Sequence, residues 1–345
     1  MAQYKDFIPE NIALPEVKRI GIYNSKGNRV GQIPLGNLSP PEYQKRRYSF
    51  GALSDIHIGE STAPSDFQKA LTFFNDNVDF VCISGDLIHG GSDESEAQRT
   101  VYKTIVDNCS TIPVYACSGN HDGAYVPDLE STIASYTGQP LYYSFAYGED
   151  VFIFVGNASS SSGALFTKAE LQWLYETLEA NRNKRCFLFQ HVRPDDGCGN
   201  ALGIYQVDIW SGTEQTVFES LLRHYQNVVF FHGHSHLKFY LQKYSDVANI
   251  EKNIGCWSVH IPSLAVPRDT TGAVDPSITS VYADSEGYLV DVYENGIHLR
   301  GRDFMKNEFL PIASYWLDTP LKTVEAGTYS DSTGTIHTPL TYTNL

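Results

Sequence analysis

The 345-residue sequence predicts an α/β fold with a second sheet, and three patterns carry that expectation. From Tyr48 to about Phe239, short apolar runs alternate with longer helical patterns, beginning with Tyr48–Ser54, Val78–Ser84 and Ile112–Ser118. Thr167-Lys-Ala-Glu170 and Ser211-Gly-Thr-Glu214 have the spacing of capping boxes ahead of amphipathic stretches. The last third holds β-type runs separated by turn-forming residues.

Taken in order, residues 1–46 carry Pro and Gly around the alternating stretch Lys18–Gly31, which predicts a small β-hairpin appendage. The main domain is expected over 47–305, with helices at 168–180 and 212–225. Trp257–Ile261, Ile278–Ala283, Tyr288–Tyr293 and Ile297–Phe304 read as antiparallel strands joined by turns such as Ser285-Glu-Gly and Glu294-Asn-Gly, forming a second sheet packed on the first. Residues 306–345 read as a partly extended C-terminal extension, poor in apolar residues beyond Thr323.

Composition narrows the function classes. With 42% hydrophobic, 13% aromatic and 19% charged residues the chain is globular. No apolar run approaches the length of a bilayer span, and the first residues lack a basic start with an apolar core, so a soluble cytoplasmic protein without membrane contact is expected. A net charge of -15 repels nucleic-acid backbones, and Lys45-Arg46-Arg47 is the one basic run, so nucleic acid is a disfavoured partner. The six cysteines show no CxxC spacing, and Cys82, Cys117 and Cys186 fall in apolar runs; they read as reduced, buried and inert.

Five segments place metal-competent side chains just after β-type runs: Asp55-Ile-His57, Gly85-Asp86, Gly119-Asn120-His121-Asp122, His191, and Gly233-His234-Ser235-His236. In extended chain, residues i and i+2 point the same way, so Asp55 with His57 and His234 with His236 can each offer paired donors. Strand carboxyl ends gather in open α/β sheets, which brings the five together. Carboxylates, imidazoles and an amide oxygen suit divalent Mn, Fe, Co, Ni or Zn, whereas a structural zinc site favours thiolates. Seven donors exceed one open site and suit two ions roughly 3.5–4 Å apart, with Asp86 as the bridge. Gly85, Gly119 and Gly233 permit close backbone approach beside the donors.

Each block has an ordinary alternative. Asp and Asn cap helices and turns, and a lone histidine such as His191 after a strand is more often structural. Coincidence of all five in order reverses that judgement. His224 and His232 are assigned to structure, and Arg193 to an exposed turn. His89 and Tyr125 are placed near the pocket by proximity to the blocks, while Asp122 either orients His121 or holds its loop.

From about 50 to 305, these blocks resemble the calcineurin-like metallophosphoesterases, whose pattern is D-x-H, G-D, G-N-H-D/E, a lone H and G-H-x-H. The resemblance implies a four-layer α/β/β/α sandwich of two mixed sheets. It implies Asp55, His57, Asp86 and His236 on one ion, Asp86, Asn120, His191 and His234 on the other, and His121 as the catalytic imidazole. Hydrolysis of a small phosphate ester by a hydroxide bridging the two ions is the implied activity. The segment Asp86-Leu-Ile-His-Gly-Gly lacks the acid and Arg of protein Ser/Thr phosphatases, and position 89 is His where purple acid phosphatases carry Tyr. What remains resembles the cyclic-nucleotide and glycerophosphodiester branch, so a phosphodiesterase is expected. The alternatives are a nuclease of the same family, against which the charge argues, and an accessory module of phage type attached to a larger assembly through residues 1–46.

Overall fold

Alternation of apolar strands and amphipathic helices produces two sheets packed face to face, each covered by helices on its outer side. The computed structural model describes residues 19–23, 29–34, 45–91, 95–123, 126, 128–157, 166–193, 213–240, 249–252, 255–270, 278–280, 284–319, 324, 329–330 and 336–337. The strands β1 (Arg19–Tyr23) and β2 (Arg29–Pro34) come first and pair antiparallel. Next come β3 (Tyr48–Leu53), α1 (Ala63–Asn75), β4 (Phe80–Ser84), α2 (Ser95–Cys109), β5 (Val114–Cys117) and α3 (Leu129–Thr137). A second run holds β6 (Tyr142–Tyr147), β7 (Asp150–Val155), α4 (Lys168–Ala180), β8 (Cys186–Phe189), α5 (Thr213–His224) and β9 (Val228–His232). The remainder is strand: β10 (Ile250–Glu251), β11 (Trp257–His260), β12 (Arg268–Thr270), β13 (Ile278–Ser280), β14 (Glu286–Val292), β15 (Gly296–Asp303), β16 (Glu308–Asp318), β17 (Tyr329–Ser330) and β18 (Ile336–His337).

One six-stranded sheet has the order β16-β15-β14-β3-β4-β5 and the other β10-β11-β9-β8-β7-β6. Both are mixed: β3, β4 and β5 run parallel in the first, and β7, β8, β9 and β11 in the second. Every residue of β3, β4, β7, β8 and β9 is buried, as both-face coverage of parallel strands requires. Alternation within a strand still sorts side chains between layers. In β4, Phe80 and Cys82 enter the inter-sheet core, while Val81 and Ile83 pack with Phe67, Leu71 and Tyr102 of α1 and α2. Leu171 and Leu174 of α4 and Phe218 of α5 cover the outer face of the second sheet. The inter-sheet layer is rich in rings: Phe50 meets Phe152 and Phe187 edge-on, each at 5.2 Å. These are the four layers of the expected sandwich.

Local signals placed the helices well. Thr167 caps α4 in a full capping box with Glu170, and α5 spans Thr213–His224 against the expected 212–225; the Ser211 cap, Tyr125, Cys198 and the turn at 194–196 lie outside the described residues. Cys82, Cys117, Cys186 and Cys256 are buried free thiols, and Cys109 is partly exposed.

Three expectations about the last third are corrected. Trp257–His260 pairs parallel to β9 in the second sheet, whereas β14 and β15 pair antiparallel with the first, so these runs do not make one sheet of their own. Ser285-Glu-Gly is not a turn, because β14 starts at Glu286; Glu294-Asn-Gly does join β14 to β15. The sheet also continues past residue 305, since β16 pairs along β15 and is the edge strand.

Candidate metal centre

The carboxyl ends of β3, β4 and β5 in one sheet and of β8 and β9 in the other meet at one end of the sandwich, and each is followed by one of the five blocks. Main-chain bonds Asp55 N to Gly85 O at 3.1 Å and His57 N to Asp86 O at 3.0 Å tie the loops after β3 and β4 together. The backbone there is unusual. Six described residues other than glycine have positive φ, and five of them are Asp55 (54°), His57 (48°), Asp86 (51°), His234 (71°) and His236 (61°). The paired donors therefore converge through left-handed turns after the strands, not through the extended alternation expected from sequence. Such conformations cost of order 1–3 kcal/mol each and persist where the surroundings over-determine them.

Two buried donor groups share one residue: Asp55, His57, Asp86 and His236 in the first, Asp86, His191 and His234 in the second. His236 Nε2 lies 2.9 Å from Asp55 Oδ1 and 3.1 Å from His57 Nε2. His191 Nε2 lies 3.0 Å from Asp86 Oδ2 and 3.3 Å from His234 Nδ1. Asn120, also buried, sits between Gly119 and His121 in the loop after β5. A Cβ on Gly119 would meet Asp86 Oδ1 at 2.2 Å, and one on Gly233 would meet Asp55 Oδ2 at 2.3 Å, so both glycines are required by close approach.

Outer groups set the tautomers. His191 Nδ1 donates to the Ser84 carbonyl at 2.7 Å and His236 Nδ1 to the Val266 carbonyl at 3.1 Å, which turns both Nε2 atoms toward the carboxylates. Backbone carbonyls carry no residue-type signal, so these partners were not legible in sequence. Asp122 accepts from Gly119 N at 2.7 Å, Leu87 N at 3.0 Å, Ile88 N at 3.2 Å and Tyr136 Oη at 3.1 Å, and so holds the loops after β4 and β5. Burial, then the Asp86 charge, pushes the Asp122 carboxyl up to about 6. Arg193 is 2% exposed, which corrects its placement in an exposed turn. His232 bonds Ser258 Oγ at 3.1 Å, and His224 is buried at the end of α5, both outside the donor groups.

The electrostatics demand positive charge. Asp55 and Asp86 are fully buried; burial alone would raise their carboxyls, but histidine charges, led by His236 for Asp55 and His191 for Asp86, hold both well below the usual range. Burial would lower the His191 imidazole, yet Asp86 and Asp55 outweigh it and lift it to about 9. Burial takes the His234 imidazole down to about 3. In the chain alone a proton on His191 thus stands where a cation would neutralise the carboxylates. Asn120 Oδ1 is buried without a hydrogen-bond partner, while Asp55 Oδ1 and Asp86 Oδ2 face the imidazole nitrogens of His236 and His191. Buried carboxylate and amide oxygens gathered with imidazole nitrogens are what a divalent cation satisfies.

Two further histidines line the solvent side. His121 is partly exposed, and its ring lies 4.8 Å from that of His57 and 5.5 Å from that of His89. His121 Nδ1 donates to the His89 carbonyl, and His121 Nε2 lies 3.9 Å from Asp86 Oδ2. His89 is half exposed and faces Glu60 Oε1 at 3.3 Å through Nδ1. Glu60 was not foreseen, and nothing in its sequence context marks it.

A mixed two-sheet α/β/β/α sandwich with a two-lobed donor cluster at its strand ends defines a class. The family profile described as Calcineurin-like phosphoesterase matches residues 48–238, more than half of the sequence, and the chain belongs to that family. Among solved structures, a purple acid phosphatase from yellow lupin (Lupinus luteus) seeds superposes with a TM-score of 0.51 at 16% identity, covering 87% of this chain and 59% of its own. GAP50, described as the anchor in the inner membrane complex of Plasmodium, gives 0.51 at 14% identity, covering 81% of this chain and 90% of its own. This chain therefore spans less than two thirds of the lupin protein, and both likenesses are of fold. No curated protein matches it by sequence. Among the described residues, no helix is long and apolar enough to cross a membrane.

Proposed function

We propose that the protein is a dinuclear metal-dependent phosphoesterase that favours diesters. The sharing of Asp86 between two buried donor groups carries the reading, because one carboxylate within reach of both is what a bridged pair of ions needs. Asp55, His57, Asp86 and His236 would hold one ion, and Asp86, Asn120, His191 and His234 the other. Bound there, two divalent cations would supply Lewis-acid activation of water and of the phosphoryl oxygens; Mn, Fe, Co, Ni and Zn all suit the donors.

The chain's own groups do the rest. Asp55 and Asp86 fix the donor geometry at the buried floor. His121 is at the mouth, with Nδ1 committed to the His89 carbonyl. As an imidazolium it carries its second proton on Nε2, where it can steady a phosphoryl oxygen or protonate the leaving alkoxide. His89, oriented by Glu60, borders the same opening. The diester preference rests on the His at position 89, the missing Arg clamp, and the resemblance to the cyclic-nucleotide and glycerophosphodiester branch. A nuclease reading is opposed by the net charge of -15. One fold relative is described as an anchor, so the fold alone carries no activity; the two donor groups that share Asp86 support it here.

The test is hydrolysis of bis-p-nitrophenyl phosphate against p-nitrophenyl phosphate by metal-stripped protein reloaded separately with Mn, Zn, Fe, Co and Ni. Faster diester cleavage, abolished in Asp86→Asn, is expected. Monoester preference would make the protein a phosphatase, and inactivity with two ions tightly bound would leave an accessory module, with the hairpin in residues 1–46 as its attachment.

A further inference from the structure

Behind the G-H-S-H loop runs a polar chain that the donor cluster does not use. Ser235 Oγ lies 2.7 Å from His260 Nε2, and His260 Nδ1 lies 3.2 Å from Asn249 Oδ1. Asn249 Nδ2 faces the Phe239 carbonyl at 3.4 Å, which leaves the amide oxygen for the imidazole. An amide oxygen only accepts, so His260 Nδ1 is the donor, and Nε2 accepts from the Ser235 hydroxyl. All three residues are 0–1% exposed. The order of bonds is that of a nucleophilic triad, but no substrate reaches Ser235, so the arrangement acts as a brace.

The brace is anchored and points at a strained segment. The β9–β11 register sets His260 beside His232, and His260 N donates to Asn249 O at 2.8 Å while Ile261 N donates to His232 O at 2.7 Å. Ser235 stands between His234 and His236, both in left-handed conformation, and these two belong to different donor groups. Something must over-determine that backbone. We propose that His260, acting through Ser235, is a positioning residue that holds His234 and His236 in place for both ions at once. The inference rests on the two-ion reading above.

Ser235→Ala removes only the hydroxyl and is the variant to use, with His260→Ala as the harsher partner. In chelator, the full-length Ser235→Ala protein is expected to melt near the wild type. Titrated with Mn and followed by electron paramagnetic resonance, it is expected to bind both equivalents about 10-fold more weakly. Independently of metal, 15N NMR of the chelated wild type is expected to show His260 protonated on Nδ1 and bare on Nε2. The opposite tautomer, unchanged Mn affinity, or weakening of one equivalent alone overturns the proposal. A wild-type chain that binds fewer than two Mn ions overturns the two-ion reading and this inference with it; a wild type that binds two beside an unaltered variant overturns this inference alone.

Discussion

Arg185→Met offers a direct test of what locks the two sheets together at the end away from the donor cluster. Arg185 is 2% exposed and makes a bidentate pair with Asp150, at 3.0 Å through Nε and 2.8 Å through Nη2. Its remaining protons reach Thr319 Oγ1 at 2.9 Å and the Tyr293 carbonyl, across the sandwich, at 3.0 Å. Tyr48 at the start of β3 donates to Asp150 Oδ2 at 2.6 Å, so both sheets converge on one buried carboxylate. Methionine keeps the length of the side chain but leaves Asp150 buried with the Tyr48 hydroxyl alone. Removing one partner of such a pair costs about 3–5 kcal/mol, whereas an exposed pair is worth about 1 kcal/mol or less. Urea unfolding followed by tryptophan fluorescence is expected to show the larger loss, and Asp150→Asn added to Arg185→Met is expected to cost less than the two separately. Mn affinity is expected to stay unchanged, because the pair sits at the amino ends of the strands. A loss below about 1 kcal/mol would refute the view that this pair is a desolvated clamp between the sheets.

Burial pushes the Glu286 carboxyl up to about 8, although Phe239 N donates to it at 2.8 Å. A raised folded-state value means the proton stabilises the fold; that stability is complete below the unfolded value near 4.5 and is lost as pH rises through about 8, at about 1.4 kcal/mol per unit. Thermal melts are therefore expected to fall between pH 5 and pH 9 more steeply for the wild type than for Glu286→Gln, and parallel curves would count against it. His121→Ala is expected to keep full metal content by elemental analysis while turnover drops about 100-fold or more, within the usual range for a general acid. Loss of metal in that variant would move His121 among the ligands.

Much of the site was legible because its chemistry sits in short blocks, each following an apolar strand: Asp55 and His57, Asp86, Asn120 and His121, His191, His234 and His236 all gather at one sandwich end. The manner of convergence was not. Residue types do not announce that Asp55, His57, Asp86, His234 and His236 adopt positive φ, since that strain is imposed by the loops packed around them. Strand partners were equally hidden. Trp257–His260 reads as a strand, but its parallel pairing with β9 depends on tertiary contacts, and it is this pairing that brings His260 behind Ser235. Glu308–Asp318 alternates weakly because it is an edge strand with one open side, which is why the sheet seemed to end at 305. Arg193 looked like a turn residue and is buried, since a sequence shows charge and not the pocket that receives it.

The central claim is that Asp86 belongs to both halves of one metal centre, and equilibrium dialysis of metal-stripped protein against Mn measures it. Two equivalents are expected for the wild type, and Asp86→Asn, in a chain that remains folded by circular dichroism, is expected to weaken both together. One equivalent in the wild type, or a variant that loses one ion and keeps the other at full affinity, would contradict the shared carboxylate.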